Sequence, residues 1–372
     1  MNNIQKLAQL GQSMWYDNIS RSLITKGELK KMVDEGLRGV TSNPTIFDKA
    51  ISGSNDYDDQ LRDLILSDSD IEAGTIIQAL MVRDIQMACD VLRPVHDRTQ
   101  GLDGYVSVEV TPTKARDTAA TIDEVRDLWK KIARRNLMVK IPATKEGLPA
   151  IRQMIAEGCN INITLIFAEE RYREVADAYI SGLEQRAKEG KSLDVASVAS
   201  VFVSRIDGLV DDLLDKKGNP AALALKGRAA VANTKMIYQA FKEMFQSARF
   251  VPLRKRGARV QRPLWGSTST KNPAYADLLY VDPLVGSDTV NTVPPQTYTA
   301  ILDHGNPAIT IENNLQESRQ LLTRLAAEGI SVKQVLQKLE EDGVASFEKS
   351  FNGLYENLNR KKGELVEASL PS

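Results

Sequence analysis

Leu137-Met138-Val139-Lys140-Ile141-Pro142-Ala143 is an apolar run interrupted by a single charge. The run predicts a buried β-strand. Removing an ammonium from water is costly, so lysine is among the residues least often fully buried. Burial favours the neutral amine, and a neutral amine is a nucleophile. The chemistry that uses such an amine is attack on a carbonyl carbon to give a Schiff base. A competing reading makes 137–143 an edge strand from which Lys140 snorkels to water. The rest of the chain must decide between the two.

Outward from that strand, short apolar segments alternate with amphipathic ones, the pattern of βα units around a parallel sheet. Strands are expected near 13–17, 39–43, 104–110, 137–142, 161–167, 196–203, 262–268 and 278–284. Helices are expected over 27–36, 71–92, 120–134, 147–157, 169–188, 205–215 and 222–246. Eight strands with intervening helices fit an α/β fold of the closed (β/α)8 TIM-barrel type better than an open doubly wound sheet. Lys140 then lies on the fourth strand. Two intervals exceed a simple crossover. Residues 44–103 should hold extra helices, one over 56–66. The tail from about 315 to 372 carries Phe347, Phe351, Leu354 and Leu358 at helical spacing and should pack as helices outside the barrel. No internal repeat or low-complexity linker appears, so residues 1–372 are expected to form one barrel domain.

Composition narrows the chemistry. The 372 residues are 42% hydrophobic and 26% charged, ordinary for a globular protein, with a formal net charge of -1. That balance gives no electrostatic reason to expect nucleic acid or an acidic membrane surface. No apolar stretch approaches a membrane span, and Met1-Asn2-Asn3-Ile4-Gln5-Lys6 lacks a signal-peptide core, so a cytoplasmic location is expected. Cys89 and Cys159 lack metal-site spacing and read as small buried side chains. His96 and His304 are the only histidines, and both read as loop residues. Multi-histidine metal centres and histidine-based triads therefore lack raw material, leaving Lys, Glu, Asp and hydroxyls.

Catalytic groups of a barrel project from the C-terminal ends of its strands. Several expected strands end in polar residues where packing alone would select Val or Ile. The first ends at Asp17 and the second at Thr41-Ser42-Asn43-Pro44. The third carries Ser107 and Glu109 on one face, against Val106, Val108 and Val110 on the other. The fourth carries Lys140, the fifth Asn162 and Thr164, the sixth Ser200 and Phe202 followed by Arg205. The seventh runs into Ser267-Thr268-Ser269-Thr270-Lys271-Asn272. Each also has a purely structural reading: Asn43 or Asp17 as a cap, Thr164 as a strand former. Seven strands repeating the feature at one end favour a site.

The segments Asp17, Val40-Thr41-Ser42-Asn43-Pro44, Val108-Glu109-Val110, Val139-Lys140-Ile141-Pro142-Ala143, Asn162-Ile163-Thr164-Leu165 and Ser200-Val201-Phe202-Val203-Ser204-Arg205 together resemble the transaldolase family. They span most of the barrel in family order. The resemblance implies a Schiff-base lysine on the fourth strand, where counting strands independently puts Lys140. It implies further that Asp17 takes and returns the hydroxyl proton in carbon–carbon cleavage. Glu109 would work through a water positioned with Thr164. Asn43 and Asn162 would bind substrate hydroxyls, with Thr41, Ser200 and Phe202 shaping the pocket. Arg205 fits the family's phosphate arginine, and Lys271 is the best match for a second cation where many relatives place arginine. Ser204 stands where glycine is common.

Sugar phosphates are the implied substrates, with no metal or organic cofactor, in a monomer or homodimer. The implied reaction is transfer of a dihydroxyacetone unit from sedoheptulose 7-phosphate, or fructose 6-phosphate, to an aldose phosphate in the non-oxidative pentose phosphate pathway. A fructose-6-phosphate aldolase of the same superfamily is the nearest rival, but those aldolases resemble this site with glutamine at the position of Glu109 and are much shorter. A non-catalytic barrel scaffold is a third reading, set against competent residues at every proposed position. Gly190-Lys191-Ser192 resembles the end of a P-loop, but Gln185 stands where its first glycine belongs. The basic stretch Arg254-Lys255-Arg256-Gly257-Ala258-Arg259 reads as a solvated loop.

Overall fold

The computed structural model of the chain describes residues 1–369. Eight parallel strands close into a barrel in sequence order: β1 (Gln12–Tyr16), β2 (Gly39–Thr41), β3 (Tyr105–Glu109), β4 (Leu137–Pro142), β5 (Ile161–Ile166), β6 (Ser197–Phe202), β7 (Arg262–Gly266) and β8 (Thr289–Val293). β8 returns to β1 with Trp15 opposite Thr292, which completes the ring. A closed ring has no edge strand, and Lys140 on β4 is only 4% exposed. The snorkelling alternative is thereby removed.

Period-two alternation sends one set of side chains inward and the other onto the surrounding helices. Trp15, Met138, Val198, Leu264 and Val290, with Tyr105 and Ala196, form an apolar cluster separate from the larger one beneath the helices. Gly39 belongs to this packing. A Cβ there would lie 2.5 Å from the Trp15 ring, so the bulk of Trp15 requires a residue without one at the paired position on β2.

Seven strands lie within a residue or two of expectation, and the eighth does not. The run at 278–284 is not a strand; it ends in a 3-10 turn, Asp282–Leu284, and the eighth strand is Thr289–Val293. Pro283 has no N–H for a ladder. Leu278, Tyr280, Val281 and Leu284 are nevertheless buried, which accounts for the apolar run. The helix expected over 222–246 is two, Pro220–Leu223 and Ala229–Phe245, separated at Gly227, whose φ of +68° no helix accepts. His96 is no loop residue. It is buried in the last turn of the helix Ala73–Arg98 and meets the Tyr105 ring edge-on. His304 closes the helix Pro295–His304.

The long interval holds Pro44–Ser52, Asp58–Ser67 and Ala73–Arg98, and the tail holds Leu315–Ala327 and Val332–Ser369. That last helix is tied down along its length. Ser350 hydrogen-bonds Thr45, the Asn357 amide donates to Asp48, Lys361 pairs with Asp58, and Lys362 donates to the Ile71 carbonyl. It crosses the C-terminal end of the barrel, where Phe347 packs edge-on against Phe202 at 6.3 Å. No helix among the described residues is long and apolar enough to cross a membrane.

Candidate active site

The C-terminal ends of the strands surround a cavity of about 620 Å³. Lys140 and Thr164 lie in its floor, with Asp17, Thr41, Asn43, Ser200, Phe202, Arg205 and Lys271 around it and Phe347 above. Local structure explains how they arrive there. β3 and β4 pair Glu109 with Lys140 in register, so both point inward at the same level. The Lys140 ammonium lies 3.2 Å from the Glu109 carboxylate and donates to the Ser42 carbonyl at 3.0 Å.

Asp17 follows β1, held by its backbone N–H to the Val293 carbonyl. Its Oδ1 accepts from the Thr41 hydroxyl at 2.7 Å, and that hydroxyl also meets Thr292 at 2.6 Å. Burial raises the Asp17 pKa above the ordinary carboxylate range, partly countered by the Lys140 charge and the Thr41 hydrogen bond. Burial likewise pushes Glu109 up; the Lys140 ion pair opposes this and the nearby Asp17 adds to it.

Beyond its ion pair, neither carboxylate oxygen of Glu109 meets a hydrogen-bond partner among the described residues, and neither does the fully buried Thr164 hydroxyl. Buried polar groups are rarely left so, and each one calls for a physical explanation. The backbone beside Thr164 is also strained. Leu165 has φ +61°, and the β5–β6 register shifts between Ile163 and Ile166. An irregularity of this kind re-aims a side chain at a strand end.

Two expected substrate ligands are otherwise occupied, wholly or in part. Asn162 is fully buried below the cavity, its amide donating to Ser107 at 3.0 Å and accepting from Ser200 at 2.6 Å. Asn43 caps the helix Pro44–Ser52, its Oδ1 accepting from the Ile46 N–H at 3.0 Å, and also lines the cavity. On the β6 side Arg205 lies over the Phe202 ring at 5.3 Å with no carboxylate partner among the described residues. Burial lowers its pKa, though a guanidinium remains charged. It sits in the first turn of the helix Ser204–Lys217, where the Ser204 N–H donates to the Ser267 carbonyl and the Ile206 N–H to that of Val203. Ser204 and Ser267 join their hydroxyls at 2.9 Å, and Ser267 is held at φ +53°. Lys271 stands exposed at the rim.

Sequence reading missed Thr292, Asn18, Lys49 and Gln296, which also line the cavity. Thr292 escapes a reading that expects the eighth strand at 278–284; its signal is the β-branched run Thr289-Val290-Asn291-Thr292-Val293. Among the described residues no group of three or more His, Cys, Asp or Glu could hold a metal ion.

A family described as transaldolase/fructose-6-phosphate aldolase matches residues 14–358. The chain belongs to this family. Among its relatives, the transaldolase of Trichodesmium erythraeum is 44% identical, covering 98% of this chain and 99% of that protein. The transaldolase of a Parafrankia species is 45% identical over 97% and 98% of the two chains. That of Thermobifida fusca is 45% identical over 95% and 97%. In this transaldolase/aldolase family member the barrel from Met14 on β1 onward, its cavity and the buried Lys140–Glu109 pair all fall inside the matched span.

Proposed function

We infer that the chain acts as a transaldolase, and we propose that Lys140 is its Schiff-base residue. The observation that carries this reading is Lys140 in the floor of a cavity rimmed by Arg205 and Lys271, with the Glu109 carboxylate 3.2 Å behind it. An amine, two carboxylates and two cations are the groups that cleavage of a ketose phosphate requires.

Glu109 takes a proton from the Lys140 ammonium, and the free amine adds to C2 of the ketose phosphate. The carbinolamine loses its oxygen as water, with Glu109 supplying the proton through a water held against the Thr164 hydroxyl. The unpartnered oxygens of Glu109 and Thr164 support that arrangement. Asp17 then removes the C4 hydroxyl proton. The C3–C4 bond breaks, its electron pair flows to the iminium nitrogen, and the aldose phosphate departs. The enamine left on Lys140 attacks the aldehyde carbon of an acceptor aldose phosphate, and Asp17 returns its proton to the new alkoxide. Hydrolysis of the imine frees the product.

The imine nitrogen serves as electron sink, so this chemistry calls for no cofactor or metal. Arg205 and Lys271 hold the phosphate of donor and acceptor in turn. Thr41 orients Asp17, while Asn43, Ser200 and Phe202 form the wall that the sugar hydroxyls meet. Asn162 acts by fixing Ser200 and Ser107. The proposed substrates are sedoheptulose 7-phosphate or fructose 6-phosphate as donor, in the non-oxidative pentose phosphate pathway. Phosphorylated sugars do not cross bilayers unaided, so the cytoplasm is the proposed compartment. One chain supplies the whole cavity lining, so a monomer or a homodimer would serve equally. The ties from the last helix to residues 45–71 lead us to treat the chain as one domain.

The test is incubation with fructose 6-phosphate, borohydride reduction and peptide mass spectrometry. A three-carbon adduct on Lys140 is expected, and folded protein with no adduct on any lysine would overturn the mechanism. The family description also includes fructose-6-phosphate aldolase. Measuring free dihydroxyacetone alongside transfer separates the two activities: a transferase releases little.

A further inference from the structure

A second cavity, of about 490 Å³, reaches the same catalytic pair from the side. It opens between the helices Ala73–Arg98 and Thr118–Ile132, where Glu72 and Asp123 are exposed at its rim. Its inner wall includes Glu109, Ser42 and Asn43. Asn43 also lines the main cavity, and Ser42 supplies the carbonyl that holds the Lys140 ammonium. Lys140 in one cavity and Glu109 in the other, 3.2 Å apart, thus form the partition between them.

The proposed mechanism gives this partition a task. Imine formation expels the ketose C2 oxygen as water while the sugar phosphate occupies the main cavity. Imine hydrolysis later consumes a water while the product still occupies it, and Phe347 and Phe202 narrow the mouth above. The oxygen of that second water becomes the new C2 oxygen of the product. Water is needed at Glu109 at both moments, when the mouth is filled.

We propose that water enters and leaves the Lys140–Glu109 pair through this side cavity while substrate fills the main one. The inference rests on the Schiff-base reading. It assigns the space behind Glu109 a solvent-supply role and makes Thr75 and Met81, which line it away from the reacting atoms, determinants of the hydrolysis step. Thr75 is exposed and Met81 half-buried, so either site has room for a larger side chain.

The experiment compares the full chain with Thr75→Trp and, separately, Met81→Trp. Transfer is run in water enriched in heavy oxygen, with an enzyme-free control for spontaneous ketose exchange. Mass spectrometry reads the label at C2 of the product, and borohydride trapping during turnover reads the fraction of chain held on Lys140. The unaltered chain should place solvent oxygen at C2 with each transfer. In the folded variants label per turnover should fall several-fold where the expelled water is retained and returned to C2, or the trapped fraction should rise several-fold where re-entry of water is slowed. Unchanged labelling and trapping in both folded variants would overturn the route, as would an unaltered chain whose product keeps the donor's own C2 oxygen. Absence of any Lys140 adduct in the unaltered chain would remove the Schiff-base reading, and the route with it. An adduct with labelling and trapping both unchanged in the variants removes the route alone.

Discussion

The barrel has a buried cation–carboxylate pair at each end, and the two are built differently. At the N-terminal end Arg262 lies 3.1 Å from Asp103. Its two terminal nitrogens also donate to the Ser13 hydroxyl and to the carbonyls of Leu102 and Thr289. Asp103 accepts in addition from Ser13 at 2.6 Å and Trp15 at 3.2 Å. Of this pair's buried polar atoms, only the Arg262 Nε lacks a partner among the described residues. At the C-terminal end Lys140 and Glu109 are as deeply buried, yet both Glu109 oxygens and the Thr164 hydroxyl have spare bonding capacity. The residue classes and the burial match. The difference lies in satisfaction: a saturated pair closes the barrel, and an unsaturated one bordering two cavities is available for chemistry.

The sharpest way to break this contrast is Lys140→Met. Turnover and the borohydride adduct should fall below detection, because the nucleophile is gone. Stability should change by no more than about 1–2 kcal/mol in a denaturant titration. Burial already holds Glu109 above its ordinary range, so it can take a proton and sit neutral once its partner is removed. A loss of stability as large as that at the opposite end would erase the distinction.

Asp17→Asn comes next, with a rate expected to fall by ~10²–10⁴ from loss of the proton carrier. The pH dependence carries the more specific signature. Since the folded Asp17 pKa is raised, its working carboxylate forms only above the usual carboxylate range. In the unaltered chain kcat/KM should therefore decline on acidification while ordinary surface carboxylates are still ionised, and Asp17→Asn should lack that limb. For stability the sign is opposite to that of a paired surface acid. Between the unfolded and the raised folded pKa the native state keeps a proton the unfolded state has lost, so stability falls as pH rises through that window.

Arg262→Met should leave chemistry largely intact and cost about 3–5 kcal/mol of stability. It strands the Asp103 carboxylate and frees the Leu102 and Thr289 carbonyls in the interior. Denaturation midpoints of this variant and Lys140→Met, measured together, give the comparison directly.

What the sequence could reveal follows the same division. Alternation and strand-end polarity make Lys140, Glu109, Asp17 and Thr164 readable, because a polar residue inside an apolar strand stands out against its neighbours. The saturated pair was not readable: Arg262 opens a strand and Asp103 sits in a turn, positions where charge is unremarkable, and only closure of the ring brings them together. β8 was missed for a related reason. Hydrophobicity marks burial rather than strand, and Leu278, Tyr280 and Val281 are buried without pairing. Helical spacing showed that Phe347 belongs to a buried face but not that the face lies on Phe202, since the partner is set by tertiary packing. Nothing in Asn162-Ile163-Thr164-Leu165 signals the left-handed Leu165, because leucine carries no preference for it.

Arg205 and Lys271 extend the contrast to the rim, where it should shrink to a difference in binding. Arg205 is half-buried, braced on Phe202, and has no carboxylate partner to neutralise it among the described residues. A phosphate there would gain charge-assisted, two-pronged hydrogen bonds, each worth about 1.5–3 kcal/mol. Arg205→Met should accordingly raise KM for the sugar phosphate by ~10–100-fold, with kcat less affected. Lys271 is exposed, flexible and screened, so Lys271→Met should cost under about 1 kcal/mol, a few-fold in KM that fades in high salt. Lys271→Arg offers the planar fork in place of a point charge. If it tightens phosphate binding while Arg205→Lys weakens it, the gradient from braced guanidinium to free ammonium holds across the rim. If the two lysine and arginine exchanges have equal and opposite effects, the sites are equivalent, and burial at Arg205 adds nothing to phosphate recognition.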